Sequence, residues 1–469
     1  MDRYAQLQLS ILGTKSAFSK IQWPTRFGVL VCWVLATCLG ILYPFTVGML
    51  LFSIGFINYV LLLSFRINNN FLAKTKTTSN IYETSLIEWP SFSIIVPLKN
   101  ESAVIEGTFR AIHALAYPTQ LKEVIVVVEE TDAVTKESLR KLTLPSYFYV
   151  LYIPELPPYT KGRALVHALK IATGEYVTVY DAESRPEPSQ LQKAACVFAN
   201  TNEELCLQAK IHISNPNTSW VSRQFAGEYY EWYERHMQEL SSHKMPFGLG
   251  GNSFFVSKAN LEKAGAWDPF NVTEDAELSV RLVQNNVKIT LLESVTTESC
   301  PDKIKDWINQ RTRWNKGLFI TQLVHLKSSW RQGGFGLEGW LSFWVPMMSA
   351  AMVSFFNIYI PLYLGLSDIP YPLLILMNVS LWILLAFSLG CSWIINLKSY
   401  RQLGIQKSNF GVFFDAIRYL FLHFAAGFKS YVEYFFAPMH WHKTIHNELI
   451  QPTLPEEKSL PQEEVLVSP

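Results

Sequence analysis

Two long stretches of this chain carry no charge, and nothing else in the sequence constrains the fold as tightly. From Phe27 to Phe65 there is no Asp, Glu, Lys or Arg. At about 1.5 Å of helical rise per residue, that run is about twice what is needed to cross a hydrocarbon core of about 30 Å. The pattern predicts two membrane helices over 27–65, parted next to Pro44, because the residue before a proline resists helical geometry. A second charge-free run covers Trp340 to Ser367 and resumes after Asp368 from Ile369 to Leu397, predicting another pair over 340–397. A charge at mid-membrane costs about 2.5 to 3.5 kcal/mol on insertion scales, so charge collects on the flanks. A secretory signal fits poorly, since the apolar run starts after 26 residues and is too long.

The basic flanks give an orientation. Lys15, Lys20 and Arg26 precede the first pair, Arg66, Lys74 and Lys76 follow it, and Lys398, Arg401 and Lys407 follow the second. By the positive-inside bias, the segment 1–26 and everything from 66 to 339 belong in the cytosol. Between Phe410 and Phe436 the chain is apolar but carries Asp415, Arg418, His423, Lys429 and Glu433. Within 398–450 this suits a helix lying at the interface, with a further span as the alternative. The tail 451–469, rich in Pro and Glu, reads as disordered. His440, His442 and His446 read as interfacial rather than metal-binding.

With 40 Lys plus Arg against 39 Asp plus Glu, the formal charge of +1 offers no global field for nucleic acid. The six cysteines form no CxxC pair, so they read as small hydrophobes rather than zinc ligands.

From about Ser91 to Leu292 short β-type runs alternate with helical spacing, the mark of a parallel sheet covered by helices. Ser93–Val96, Val124–Val128, Phe148–Ile153 and Tyr176–Tyr180 are expected strands, and Ala103–Leu115 and Ala164–Ala172 expected helices. Ligands of such sheets sit at the carboxyl ends of the strands. Acids stand there: Glu129 and Glu130 after VIVVV, and Asp181-Ala182-Glu183 after YVTVY. Glu129 and Glu130 are equally readable as exposed loop residues. No GxGxxG or GxxxxGK[ST] follows a strand, so neither a dinucleotide site nor a P-loop is indicated. Two carboxylates one residue apart offer hard oxygen ligands for Mg²⁺ or Mn²⁺, which could bridge a diphosphate.

Further on, Thr273-Glu274-Asp275 opens a helical stretch reaching Val283. Thr273 as a helix cap explains it locally; a carboxylate that accepts the proton of an attacking hydroxyl explains it chemically. Over 301–339 an amphipathic segment contains Gln310-Arg311-Thr312-Arg313-Trp314. Arg313 and Trp314 are readable as membrane-surface anchors, or as a platform offering an aromatic face to a sugar and cations to a diphosphate.

In order, PLKNE (Pro97–Glu101), TKGRAL (Thr160–Leu165), DAE with RPEP after it, GGNSFFV (Gly250–Val256), TED and QRTRW resemble the motifs of membrane-bound, processive-type family 2 glycosyltransferases. That group contains the cellulose and hyaluronan synthases and bacterial cellulose-synthase-like exopolysaccharide enzymes. The resemblance covers about Ser91 to Gly317 and the flanking spans. It implies an α/β domain of GT-A type, Rossmann-like, at 66–300, inserted between the helix pairs. It implies a nucleotide-diphosphate sugar donor, a UDP-sugar first among them, bound by Pro97, Glu101, Glu129, Lys161 and Asp181. Asp181 and Glu183 would hold Mg²⁺ or Mn²⁺, Asp275 would be the general base with Glu274 beside it, and Gln310, Arg313 and Trp314 would hold the diphosphate and the glycan acceptor. Glu stands where the family usually has Asp at both Glu129 and Glu183. The implied activity is inverting transfer to a growing β-linked polysaccharide at the plasma (inner) membrane, with export or synthase-complex subunits as possible partners. The alternatives are single transfer to a lipid-phosphate or glycolipid acceptor and a non-catalytic partner of a synthase complex.

Overall fold

A computed structural model describes residues 17–68, 70, 88–325, 336, 339–341, 343, 344, 370–438 and 440. Most of the first expected span of the second hairpin, His442, His446 and the tail 451–469 lie outside the described residues.

The first apolar stretch forms α1 (Ala17–Leu42) and α2 (Pro44–Ile67). They part at Tyr43, where φ −131° and ψ 59° leave the helical region, as the proline requires. Tyr371–Gln402 is a 32-residue helix and Asn409–Phe436 one of 28 residues. Both, together with α2, are long and apolar enough to cross a membrane; Arg26–Leu42 is a shorter apolar segment. Several charges of Asn409–Phe436 have partners within the protein. Asp415 pairs with Lys407 and Arg418, and Glu433 accepts from the fully buried Lys316 at 2.8 Å. Paired in this way, their charge need not face lipid, so length and composition qualify the helix as a candidate span.

Between the apolar elements lies one eight-stranded sheet. Its strands are β1 (Phe92–Leu98), β2 (Lys122–Glu129), β3 (Phe148–Ile153), β4 (Tyr176–Val179), β5 (Arg185–Pro186), β6 (Leu205–Ile213), β7 (Phe254–Ser257) and β8 (Lys288–Glu298), ordered β3-β2-β1-β4-β7-β6-β8-β5. Helices α3 (Ile105–His113), α4 (Ala133–Arg140), α5 (Lys161–Leu169), α6 (Gln190–Ala199), α7 (Trp220–Glu231), α8 (Met237–Ser242), α9 (Lys258–Lys263), α10 (Glu274–Gln284) and α11 (Ile304–Val324) follow in chain order, and the apolar helices Tyr371–Gln402 and Asn409–Phe436 become α12 and α13. Strands β3, β2, β1 and β4 are parallel, as their apolar runs indicated, and Ile94, Ile95, Val124 to Val126 and Val177 are fully buried.

The sheet as a whole is mixed rather than parallel. Strand β7 pairs antiparallel with both β4 and β6. Helices α7 and α8 lie between β6 and β7, and the chain enters β7 through a turn with φ 87° at Gly251 and φ 54° at Ser253. The parallel half brings the carboxyl ends of β1, β2 and β4 to one edge, where the PLKNE, Glu129 and DAE segments emerge.

Candidate active site

Every site residue named from the sequence lines a single cavity of about 650 Å³: Pro97, Glu101, Glu129, Lys161, Asp181, Glu183, Glu274, Asp275, Gln310, Arg313 and Trp314. The cavity continues along α2, α12 and α13, past Leu63, Arg66, Ser388, Ser392 and Tyr419.

The DAE turn is built by its neighbours. The Asp181 N–H donates to Ser184 Oγ at 3.0 Å, and the Ser184 N–H donates to the Asp181 carbonyl at 3.0 Å. Arg185, the first residue of RPEP, donates to Thr108 Oγ1 at 2.6 Å, and the Thr108 hydroxyl donates to the Ala182 carbonyl. Gly107 leaves the room for that guanidinium: a Cβ there would lie 2.5 Å from Arg185 Nη2.

Lys161 joins the DAE segment to the GGNSFFV turn. Thr160 caps α5, and the ammonium of the next residue pairs with Asp181 and donates to the Gly251 carbonyl at 2.9 Å. Burial opposes the charge of Lys161, yet Asp181, Glu274 and Asp275 around it raise its pKa. Gly251 in turn abuts Asp275: a Cβ there would stand 3.1 Å from Asp275 Oδ2, on a backbone with φ 87° that side chains resist. Gly162 lets α5 approach the same place, because its Cβ position lies 2.9 Å from the Asp268 carbonyl and 3.2 Å from Glu274 Cβ. TKGRAL and GGNSFFV therefore owe their glycines to close approach, and their shared neighbour is the TED turn.

Thr273 starts α10 without capping it; its hydroxyl turns to Asn271 Oδ1 at 3.3 Å. Burial raises the pKa of Asp275 against the opposing pull of Lys161. Burial, with the Asp275 charge beside it, lifts Glu274 to about 7. On α11, Arg313 donates to the Val272 carbonyl at 3.2 Å, which ties QRTRW to the TED turn. Two buried polar atoms of the cavity, Gln310 Oε1 and Asn252 Oδ1, have no hydrogen-bond partner among the described residues and are open to a polar ligand.

Glu129 sits differently from a free nucleotide contact. Arg163 holds one carboxylate oxygen at 2.9 Å and Lys99 the other at 2.7 Å, so its place is fixed within the protein.

One acid was missed from the sequence. Glu298, the last residue of β8, accepts from Ser184 Oγ at 2.8 Å and from Asn252 Nδ2, which also reaches Asp181 Oδ2 at 3.3 Å. Burial, then the charges of Glu183 and Asp181, push its carboxyl up to about 8. The strand-end argument that found Glu129 and Asp181 would have found it, had β8 been followed beyond Leu292.

These acids bear on whether the site suits a divalent cation. Burial and the charges of Asp181 and Glu101 hold Glu183 well above the usual carboxylate range, so negative charge at the DAE turn exceeds what the nearby cations compensate. A divalent cation would relieve that excess. Among the described residues no three His, Cys, Asp or Glu side chains form a ready cage. That agrees with Mg²⁺-type binding through one or two carboxylates together with substrate phosphates. Asp181 and Glu183 fit the role.

The raised acids also set a pH dependence. Glu274 and Glu298 bind protons more tightly folded than unfolded, where Glu titrates near about 4.3. Their contribution to stability is therefore complete below that value and lost as pH rises through about 7 to 8. Without divalent cation, Tm in detergent should fall between about pH 5 and pH 9, and Mn²⁺ should restore more of it at the alkaline end. A Tm that stays level over this range, or rises, would contradict an excess of buried negative charge at the DAE and TED turns.

Residues 90–317 match the family described as "Glycosyltransferase like family 2". The chain carries a family 2 glycosyltransferase domain. It is 25% identical over 349 residues to "Probable glycosyltransferase YdaM" of Bacillus subtilis, covering 71% of this chain and 80% of that protein. It is 27% identical over 237 residues to the beta-monoglucosyldiacylglycerol synthase of Trichormus variabilis, covering 49% of each. A probable glucomannan 4-beta-mannosyltransferase of Arabidopsis thaliana is 24% identical over 237 residues, 49% of this chain and 44% of that one. The chain thus spans most of the Bacillus protein and about half of the other two. Among solved structures, a mannosyltransferase from Pyrobaculum calidifontis in complex with GDP-Man and Mn²⁺ superposes with a TM-score of 0.53 at 17% identity, covering 82% of this chain and 97% of that one. The fold of this transferase is accordingly GT-A-like, as the ordered motifs implied.

Proposed function

We propose that this transferase moves a sugar, with inversion, from a nucleotide-diphosphate sugar to the end of a growing β-linked polysaccharide that approaches along the membrane helices. One observation carries the reading. The cavity that holds Asp181, Glu183 and Asp275 also runs along α2, α12 and α13, where Ser388, Ser392 and Asn396, at helical spacing, line it. A stripe of hydroxyl and amide groups on a membrane helix suits an acceptor rich in hydroxyl groups.

Asp275 takes the proton of the acceptor hydroxyl as that oxygen bonds to the anomeric carbon. The bond from this carbon to the diphosphate oxygen breaks, and its electron pair leaves with the diphosphate. A single displacement inverts the centre, so an α-linked donor gives a β-linkage. Lys161 and Arg313 supply positive charge toward the departing diphosphate, and Gln310 and Trp314 face the acceptor. A divalent ion, when bound at Asp181 and Glu183, supplies Lewis-acid stabilisation of the same leaving group. The Mn²⁺ and GDP-Man bound to the Pyrobaculum enzyme support a donor of this class and a metal requirement. The basic flanks support a site on the cytosolic side, and in this reading the membrane is the plasma membrane.

A second reading has its own support. Leu62, Leu63, Leu385 and Leu389 line the same cavity, and one relative is a glycolipid synthase. Here the acceptor is lipid-borne and receives one sugar.

The test is a screen of UDP- and GDP-sugars in native-like membranes with Mg²⁺ or Mn²⁺, reading nucleotide-diphosphate release and the fate of radiolabelled sugar. Release is expected with at least one donor, falling more than about tenfold in EDTA, as loss of Lewis-acid stabilisation predicts. Asp181→Ala is expected to be equally depressed. Label in a long polymer supports the first reading, and label confined to a singly glycosylated lipid replaces it with the second. No release with any donor would defeat both.

A further inference from the structure

Arg311 lies inside QRTRW and lines the cavity, yet the transfer step makes no use of it. It is 6% exposed. Its Nη1 and Nη2 each donate to one oxygen of Glu228 on α7, both at 2.6 Å. The hydroxyl of Tyr419, on α13, donates to Glu228 Oε2 at 2.6 Å and accepts from Trp307 Nε1 at 3.1 Å. The guanidinium carbon stands 4.4 Å from the ring centroid of Trp314, 4.9 Å from Phe225 and 5.2 Å from Trp307. Trp314 is half-buried and also stacks on Tyr229, with 6.4 Å between ring centroids and 29° between the ring planes. Glu228, Arg311, Trp314 and Tyr419 all line the cavity.

These contacts have a direction. A planar, forked guanidinium can hold a carboxylate with two bonds and lay its face on an aromatic ring at once, which an ammonium cannot. Glu228 fixes the fork, and Tyr419 fixes Glu228 from the membrane helix. Trp314 is the end of the chain of contacts.

We propose that Arg311 is a positioning residue: clamped by Glu228 and Tyr419, it sets the plane of the Trp314 ring, so that helix α13 governs the acceptor side of the reaction. The functional part rests on the proposed transfer reaction; the positioning of Trp314 does not. Removing one partner of a buried ion pair outright strands the other, so the informative variants keep the charges. Tyr419→Phe deletes one hydroxyl. Arg311→Lys keeps the cation and loses the fork.

Two measurements on the full chain in lipid nanodiscs test this. The first is hydroxyl-radical footprinting read by mass spectrometry. Trp314 oxidation is expected to rise about threefold or more in both variants, as its cation–π partner loosens, while Trp267, 1% exposed in the protein, stays protected. The second is the partition of radiolabelled sugar from whichever donor the nucleotide-sugar screen identifies. The ratio of sugar on acceptor to sugar released to water is expected to fall about tenfold in Tyr419→Phe, in line with the sensitivity of transfer to small misplacements. Unchanged Trp314 oxidation in both variants overturns the proposal, as does Trp267 becoming oxidised alongside it. Acceptor transfer and hydrolysis falling in parallel also overturns it, since a merely structural residue would behave that way. Should the wild type turn over no nucleotide sugar, the transfer reading fails, and footprinting alone decides whether Arg311 positions Trp314. Should Arg311→Lys not fold, Tyr419→Phe decides it.

Discussion

Asp275→Asn is expected to lower sugar transfer by about 10² to 10⁴-fold while leaving the donor bound, because it removes general-base catalysis and little else. Asn keeps the shape of the side chain. The first turn of α10 would keep its backbone place, where the Asp275 carbonyl accepts from Ser279 Oγ at 2.8 Å. What disappears is a carboxylate that burial has made more basic than an exposed Asp, while Lys161 keeps it from rising further. The pH profile of the unchanged protein should reflect this, with transfer rising as Asp275 deprotonates above the ordinary Asp range. Calorimetry with nucleotide diphosphate and Mn²⁺, beside a transfer assay, separates the two effects. Near-normal turnover in the variant would take Asp275 out of the base role; loss of nucleotide binding together with turnover would make its role structural.

Gly317→Ala is expected to cost about 10²-fold in transfer although Gly317 touches no substrate, because it displaces the helix that carries Gln310, Arg313 and Trp314. A Cβ at this position would lie 2.6 Å from Thr273 Cγ2 and closer still to Thr273 Oγ1. Thr273 cannot yield easily. Its N–H donates to Asn271 Oδ1 at 3.0 Å, and Asn271 donates to Thr321 Oγ1 on the same helix at 2.9 Å. The strain of overpacking, about 1 to 3 kcal/mol, is therefore relieved by moving α11 away from the TED turn. Elsewhere in a helix the same substitution stabilises by about 1 kcal/mol, so the sign of the effect is diagnostic. Gly390 on α12, with no atom of the described residues within 4 Å of its Cβ position, is the control, and Gly390→Ala should transfer sugar normally. Full activity in Gly317→Ala would show that the two motifs need not stay in register.

Much of the fold was legible because membrane and sheet each impose a local rule. The gap in charge from Phe27 to Phe65 and the break at Pro44 follow from residue types alone, and α1 and α2 part at Tyr43. The apolar runs VIVVV and YVTV became central strands for the same reason. Less legible was strand direction, because β7 pairs antiparallel with β4 and β6 and apolar periodicity reads the same for either direction. The pairing of Glu433 on α13 was also hidden, since its partner Lys316 lies on α11, 117 residues away.

By itself the sequence determined which side chains could do chemistry in this protein: acids at strand ends, a basic segment, an aromatic and cationic helix, each readable from type and spacing. Tertiary structure alone decided that they meet. Lys161 pairs with Asp181 while lying within the field of Glu274 and Asp275, and Gly162 and Gly251 give the room for α5 and the β7 turn to close on Glu274 and Asp275. It also decided that Glu298 joins the acids, that Glu129 is spoken for by Arg163 and Lys99, and that Arg311 backs Trp314. Propensity and periodicity act over a few residues, whereas burial and charge coupling are set by neighbours scores of positions away, and the basicity of Asp275 belongs to those neighbours rather than to its own segment.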